Sequence, residues 1–129
     1  AQKDQALALA KSTCNQYPYS GLAASNYVEL LFQSGKHQEL VDYLRNQSAL
    51  SRSNPDYHMY LARSYEALGK KSMAFAATGD MYALLDNPRA AVYQFELAQK
   101  ANDGDFYIMS EIDAKLREQR QKVLDQKKD

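Results

Sequence analysis

Apolar side chains recur at intervals of three and four residues along almost the whole chain. Leu7, Ala10 and Cys14 show this spacing near the start, and only five glycines and three prolines interrupt it along the 129 residues. Such spacing places the apolar residues on one face of an α-helix. The sequence therefore predicts an all-α protein. The helices are expected at 1–16, 21–34, 37–47, 56–68, 71–85, 88–101 and 105–126.

Local signals mark several of these helix ends. Asn87 and Pro88 predict a helix start with proline at its first position. Asp103 or Asp105 is expected to cap the last helix. That helix is rich in both signs of charge, yet it keeps an apolar stripe, which predicts an amphipathic helix and not a disordered tail. The stripe consists of Met109, Ile112, Leu116 and Val123.

Two glycines give the helical pattern a period. Gly35 and Gly69 each end a predicted helix, each is followed by lysine, and they lie 34 residues apart. Glycine tolerates the positive φ of a helix end, and a helix–turn–helix period of 34 residues is that of the tetratricopeptide repeat, or TPR. The second repeat has the residue types that this repeat favours at Leu61, Ala62, Tyr65, Gly69 and Ala74.

The phase set by the glycines predicts a single TPR-type helical solenoid over 1–129, with about seven antiparallel helices. Helix 71–85 ends one repeat and begins the next, and the last helix caps the exposed apolar face. The first residue is not methionine, so we expect a processed protein or a piece of a longer one. The parts are a half repeat 1–20, repeats 21–54 and 55–88, an overlapping repeat 72–104 and a capping helix 105–126.

Small and aromatic residues take packing roles in this scheme. Ala62 and Ala91 are expected at close helix crossings. Cys14 is expected to be a buried apolar residue, and Tyr43 part of the core. Either Tyr57 or Tyr60 can reach the concave side. Four further tyrosines are expected to pack between repeats, and these are Tyr27, Tyr65, Tyr82 and Tyr93.

Composition argues against several functions. The 16 basic and 16 acidic residues balance, so the chain has no basic excess for binding nucleic acid. No apolar run reaches the ~20 residues of a membrane span. The two histidines, His37 and His58, are expected to be solvated, and neither belongs to an H-E-x-x-H pair. With a single cysteine, the ligands for a zinc site are missing, and there is no phosphate-binding glycine loop. We therefore predict no enzymatic activity and no cofactor in this chain.

The first helix of each repeat lines the concave face of a TPR solenoid. Its inward polar residues are predicted to form a groove for an extended protein segment. Amide side chains can bond to a peptide backbone there, and Arg63 can bind a carboxylate in a fork. The alternative is that these residues form ordinary solvated helix faces. The predicted groove consists of Asn26, Glu29, Gln33, Tyr60, Arg63, Glu66 and Asp80.

The C-terminal part of the chain carries two further motifs. Residues 89–98 read RAAVYQFELA, and residues 106–118 read FYIMSEIDAKLRE. With the tyrosine-containing helix before them, these motifs resemble the C-terminal end of periplasmic zinc metalloproteases of the BepA kind. In that family, a TPR helix and a similar helix lead to an FY…IDA closing helix with basic residues around its leucine.

The resemblance implies a longer parent protein with an N-terminal zinc protease domain and a C-terminal TPR domain. It implies a periplasmic location and a role in outer-membrane protein assembly and quality control. The partners would be a protein or peptide client, such as outer-membrane proteins or their assembly machinery, and the parent's own protease domain. The alternative is a stand-alone TPR scaffold or secretion chaperone. An H-E-x-x-H motif upstream would distinguish the two.

Overall fold

The computed structural model describes residues 2–47 and 52–128, which form seven α-helices and no strand. The all-α prediction is confirmed, and the predicted helix ends differ from the observed ones by no more than two residues. Residue 1, positions 48–51 inside the predicted repeat 21–54, and residue 129 lie outside the described residues. The helices are α1 Gln2–Gln16, α2 Gly21–Gln33, α3 His37–Arg45, α4 Pro55–Ala67, α5 Lys71–Leu84, α6 Pro88–Ala101 and α7 Phe106–Lys128.

The same three-residue turn joins α2 to α3, α4 to α5, and α5 to α6. Its central residue has positive φ, which is 71° at Gly35, 76° at Gly69 and 56° at Asp86. The amide after it bonds back into the preceding helix, as in Lys36 N to Leu31 O at 2.9 Å. Two of these positions carry the glycine that the left-handed conformation favours. The repeated turn makes α5 a member of two successive helical hairpins.

Consecutive helices pack against each other, and two further contacts define the stack. Helix α2 contacts α4, and α5 contacts α7. Helices α6 and α7 are antiparallel, because Gln99 bonds to Asp113 at 2.7 Å while Glu96 pairs with Arg120 at 3.5 Å. Contacts between helices two places apart in the chain thus involve the even-numbered α2 and α4 before α5, and the odd-numbered α5 and α7 from α5 onwards. Within the described residues, α3 and α5 make no such contact, which leaves a cleft between them.

Two apolar cores meet at α5, where the neighbouring residues Ala76 and Ala77 belong to different cores. The first core holds together α1, α2, α3 and α4. It contains the buried Cys14, Tyr27 and Tyr65, as predicted. The second core joins α5, α6 and α7. It is built from Ala76, Ala91, Phe95, Ala98, Ile112 and Leu116.

Two predictions are confirmed in part: that alanines lie at close helix crossings, and that an apolar stripe of the last helix is buried. Ala91 is 0% exposed, whereas Ala62 is only partly buried. On α7, Ile112 and Leu116 are buried, and Met109 packs against them from a half-buried position. The small residue of α6 is therefore more deeply buried than that of α4.

Packing of Tyr93 between repeats was a wrong prediction, because its side chain is 60% exposed. Helix α6 buries Ala91, Phe95 and Ala98, and a residue two positions after Ala91 points to the opposite side of a helix. Tyr82 is half-buried and packs against the second core, as predicted.

The prediction that both histidines are solvated is correct only in part, because both are half-buried. Each lies in the first turn of a helix, where its ring folds back on a neighbouring segment. The Nδ1 atom of His37 lies 3.2 Å from Ser64 Oγ, and its ring packs edge-on against Phe32. The Nε2 atom of His58 lies 2.7 Å from the carbonyl oxygen of Arg52.

The N-terminus of α5 is capped by a residue that lies beyond the next helix. Asp103 accepts hydrogen bonds from the backbone amides of Lys71 at 2.7 Å and Ser72 at 2.8 Å, and its own amide donates to Ser72 Oγ at 3.1 Å. The predicted cap of the last helix is Asp105, which accepts from the amide of Ile108. Asp103 therefore ties the start of α5 to the end of α6.

We expect Asp103→Ala to lower the free energy of unfolding by about 1–2 kcal/mol, since it removes the acceptor for two helix N-terminal amides. Desolvation opposes ionisation of this carboxyl, but the hydrogen bonds from Ser72 and Lys71 outweigh it, and the pKa of Asp103 lies below its usual range. Its contribution is therefore present above the usual carboxyl pKa and is lost as pH falls towards the lowered one. Urea unfolding between pH 2 and 7 measures both effects.

Asp103→Asn is the matched control, because the amide keeps one acceptor oxygen but cannot ionise. It should retain part of the stability and lose this residue's share of the pH dependence. Equal pH dependence in the wild type and in Asp103→Asn would contradict the assignment.

Candidate functional site

Three of the predicted groove residues are joined by hydrogen bonds on the side where α2 contacts α4. Glu29 accepts from the hydroxyl of Tyr60 through Oε2 and from the amide of Gln33, at 3.0 Å, through Oε1. The Tyr60 ring also packs edge-on against Phe32, with 5.9 Å between the ring centroids. The cluster links the two helices and leaves a polar surface between them.

The Tyr60 hydroxyl is a fixed donor in this cluster. Its hydrogen bond to Glu29, followed by burial, raises the pKa of Tyr60 to about 12, while the charge of Arg63 acts in the opposite direction. The phenol therefore keeps its proton at neutral pH and donates it to the carboxylate. Arg63, one helical turn further along α4, lies close enough to influence that pKa.

The other predicted residues on α2 and α4 are exposed and free to contact a ligand. Asn26 precedes Glu29 by three residues, and Arg63 and Glu66 follow Tyr60 at the same interval, so each group extends along one face of its helix. The side chains of Asn26, Arg63 and Glu66 make no hydrogen bond or ion pair with other described residues. These six residues of α2 and α4 are named the α2–α4 groove below.

Small residues open a pocket next to this groove. Gly21, Ala24 and Ser25 on α2 face Tyr57 and Tyr60 on α4 across a space of about 180 Å³. Because glycine has no side chain and those of alanine and serine are short, the N-terminal halves of the two helices leave room for a ligand side chain.

Asp80 does not join the α2–α4 groove. Its carboxylate pairs with Lys115 of α7 at 3.0 Å and lines a different cavity. On α4 the residues that line that cavity include Leu61 and Tyr65, which point away from Arg63 at 100° per residue. Helix α5 ends one repeat and begins the next, so the repeat pattern shifts by half a period there. Because of this shift, Asp80 lies on the opposite side of the stack.

The cavity that Asp80 lines is the gap left between α3 and α5, and we name it the lateral cleft. It has a volume of about 380 Å³ and opens to solvent. Its floor is apolar and comes from α4 and α5, and α7 closes the far side. The floor consists of Tyr57, Leu61, Tyr65, Met73, Ala76 and Ala77.

One wall of the lateral cleft carries two arginines, Arg45 and Arg52. Burial raises the pKa values of the floor tyrosines Tyr57 and Tyr65, while the nearby guanidinium groups of Arg52 and Arg45 lower them. The arginines therefore lie next to the phenol groups of the floor. Neither guanidinium lies within ion-pair distance of a carboxylate of residues 2–47 or 52–128.

The opposite wall differs in charge. Lys115 of α7 lies between two carboxylates, at 3.0 Å from Asp80 and 3.9 Å from Glu111. These partners neutralise the lysine and leave one net negative charge on this wall. Tyr107, which is 76% exposed, stands beside it.

Backbone contacts hold the arginine wall in place. A guanidinium nitrogen of Arg52 donates to the carbonyl oxygen of Arg45 at 2.8 Å, and His58 Nε2 bonds to the carbonyl of Arg52 at 2.7 Å. The second ring nitrogen of His58, Nδ1, is buried and has no partner among the described residues. His58 thus anchors residue 52 to α4.

The described part of the chain has neither a cluster of metal ligands nor a membrane-spanning helix. No group of three or more histidine, cysteine, aspartate or glutamate side chains there could hold a metal ion. Cys14 is buried, and its sulfur lies 3.3 Å from the carbonyl oxygen of Ala23 and 3.6 Å from the Tyr43 hydroxyl. None of the described helices combines the length and the apolar character that crossing a bilayer requires.

The lateral cleft was missed at the sequence level. Of its floor residues, Leu61 and Tyr65 were assigned to the repeat pattern and Tyr57 was a candidate for the concave side. Nothing in their spacing shows that α3 and α5 stay apart. Comparisons of the chain with protein-family models, with curated proteins and with solved structures found no match.

Proposed function

We propose that this chain is a non-catalytic protein-binding module whose α2–α4 groove holds an extended segment of a client protein. The observation that supports this most is the hydrogen-bonded cluster of Glu29, Gln33 and Tyr60, which sets polar residues of two helices on one continuous face. A pocket of about 180 Å³ opens beside it. The TPR-type period of the sequence supports the same use of this face.

The groove offers contacts suited to a peptide backbone. The exposed amide of Asn26 has both a donor and an acceptor, which the backbone of an extended chain can satisfy without a particular sequence. Arg63 supplies a planar guanidinium that binds a carboxylate through two parallel hydrogen bonds. The small-residue pocket accommodates a side chain of the bound segment.

We further propose that the module belongs to a periplasmic zinc protease of the BepA kind and acts in outer-membrane protein assembly and quality control. The supporting observation is the pair of motifs at 89–98 and 106–118. In this proposal the zinc lies in the parent's protease domain, and that domain is a second partner of the module. An upstream sequence without H-E-x-x-H would instead favour a stand-alone scaffold or secretion chaperone.

We expect a photoreactive amino acid at Arg63 to crosslink to a client, while the same group at Tyr93 does not. Both positions are exposed, but Tyr93 lies on α6, away from the groove. The probe is an outer-membrane β-barrel protein diluted from urea, and crosslinked bands are quantified on gels. Arg63→Glu should weaken capture of this client while shifting Tm by no more than about two degrees, because surface substitutions change stability little.

Equal crosslinking from Arg63 and Tyr93 would show that contact with the client is unspecific. Crosslinking from Tyr93 alone would move the binding surface to the outer side of α6. Either result would contradict the α2–α4 groove as the binding site.

A further inference from the structure

We propose that the lateral cleft is a second binding site, for an internal protein segment that carries a large apolar side chain flanked by acidic side chains. Its floor residues Leu61 and Tyr65 lie on the opposite side of α4 from Arg63 of the α2–α4 groove. Among the described residues, only Tyr57 borders both the cleft and the small-residue pocket. This inference therefore goes beyond the function proposed above. The partner is identified by the chemistry of the cleft's floor and walls.

The floor selects for an apolar side chain. Leu61, Met73 and Ala77 contribute apolar side chains to it, and Tyr57 and Tyr65 add ring surface. The volume of about 380 Å³ lies within the range of about 300–1,000 Å³ that is typical of ligand pockets. A leucine or phenylalanine side chain placed here would leave water and contact two helices at once.

The walls select for acidic residues. On the arginine wall, Arg45 and Arg52 have no carboxylate partner among the described residues. On the α7 wall, Lys115 is already neutralised by Asp80 and Glu111. The uncompensated positive charge therefore lies on one side of the cleft only. Two guanidinium groups on one wall suit two carboxylates, which an internal acidic segment supplies and a single chain terminus does not.

The arginine wall is arranged before any ligand arrives. The hydrogen bonds from Arg52 to the Arg45 carbonyl and from His58 to the Arg52 carbonyl hold Arg52 against the end of α3 and against α4. A fixed site loses less conformational freedom on binding, which favours affinity for short segments. The half-buried ring of His58 thus acts as a positioning group for Arg52.

The proposal is tested by NMR titration of the whole chain with short peptides. The probe is acetyl-Gly-Asp-Leu-Phe-Asp-Gly-amide, and its matched control has asparagine in place of both aspartates. We expect the acidic peptide to shift the backbone amide signals of Leu61 and Ala77. The asparagine peptide should bind about tenfold more weakly, since it loses two ion pairs at the rim of the cleft.

The double variant Arg45→Gln/Arg52→Gln should lose the same factor of about ten for the acidic peptide. Arg89→Gln removes an exposed arginine on α6, outside the cleft, and should bind like the wild type. Spectra of the free variants show whether each one is folded. As a second measurement, a photoreactive group at Tyr107, on the α7 wall, should crosslink to the acidic peptide.

Several outcomes would overturn the proposal. These are equal binding of the two peptides, signal shifts confined to the α2–α4 groove, or no shift at millimolar peptide. Another is tighter binding of a peptide with a free terminal carboxylate and no aspartate than of the acidic peptide. That result would show that the cleft binds a chain terminus and not an internal segment. None of these results affects the client crosslinking from Arg63, so the two proposals fail independently.

Discussion

Phe95→Ala is expected to lower the free energy of unfolding by about 3–5 kcal/mol, the usual cost of deleting a buried aromatic side chain. Phe95 is 1% exposed and lies at the centre of the second core. Its ring faces Gly79 of α5, where an added Cβ would lie 2.7 Å from the ring. Since Gly79 has no side chain that could move into the vacated space, the variant keeps most of its cavity. Urea unfolding monitored by circular dichroism measures the loss.

Phe106→Ala is the matched control, because Phe106 is 88% exposed, and its removal should change stability by less than about 0.5 kcal/mol. A second test uses Gly79→Ala. In the wild type this change should be destabilising, since the new methyl group clashes with the ring of Phe95. In the Phe95→Ala background it should stabilise by up to about 1 kcal/mol, the helix-propensity gain of alanine over glycine. A Gly79→Ala effect that is equal in both backgrounds would refute the contact.

Ala91→Leu is expected to destabilise the protein by about 1–3 kcal/mol, because a larger side chain must displace its neighbours in a filled core. Ala91 is 0% exposed and packs in the same core as Phe95 and Leu116. The sequence pattern alone gave the same expectation for Ala62. That residue is only partly buried, so Ala62→Leu should cost less than Ala91→Leu. Thermal unfolding of the two single variants compares them directly.

A loss for Ala62→Leu that equals or exceeds the loss for Ala91→Leu would contradict this ranking. It would indicate that α4 and its neighbours cross as closely as α5, α6 and α7 do. No loss in either variant would show that neither alanine lies at a helix crossing.

The helices were predictable from the sequence because their determinants are local. Apolar spacing fixed all seven helices, and the glycines at 35 and 69 marked turns whose φ is positive in the structure. The cap of α5 was not predictable. Asp103 lies 31 positions after Ser72, and only the packing of α6 on α5 brings them together. The exposure of Tyr93 was missed for a similar reason, since the repeat phase does not show which face of α6 has neighbours.

The candidate site was predictable on the helices before α5, where the repeat spacing set by the two glycines holds. Glu29, Gln33 and Tyr60 fall on helices of the first phase, and the structure brings them together. Asp80 falls on α5, where the phase shifts, and it pairs with Lys115 instead. The lateral cleft results from the same shift. It depends on two helices that do not meet, and such a gap has no signature in the spacing of apolar residues.

The reciprocal hydrogen bonds between Asp103 and Ser72 also affect local unfolding of the protein. The first amides of a helix usually exchange their hydrogens quickly, since helix ends fray while the rest of the domain stays folded. In α5 the amides of Lys71 and Ser72 are held by a carboxylate from the far end of α6. Their exchange therefore requires Asp103 to release them, so we expect the first turn of α5 to open together with the connection after α6.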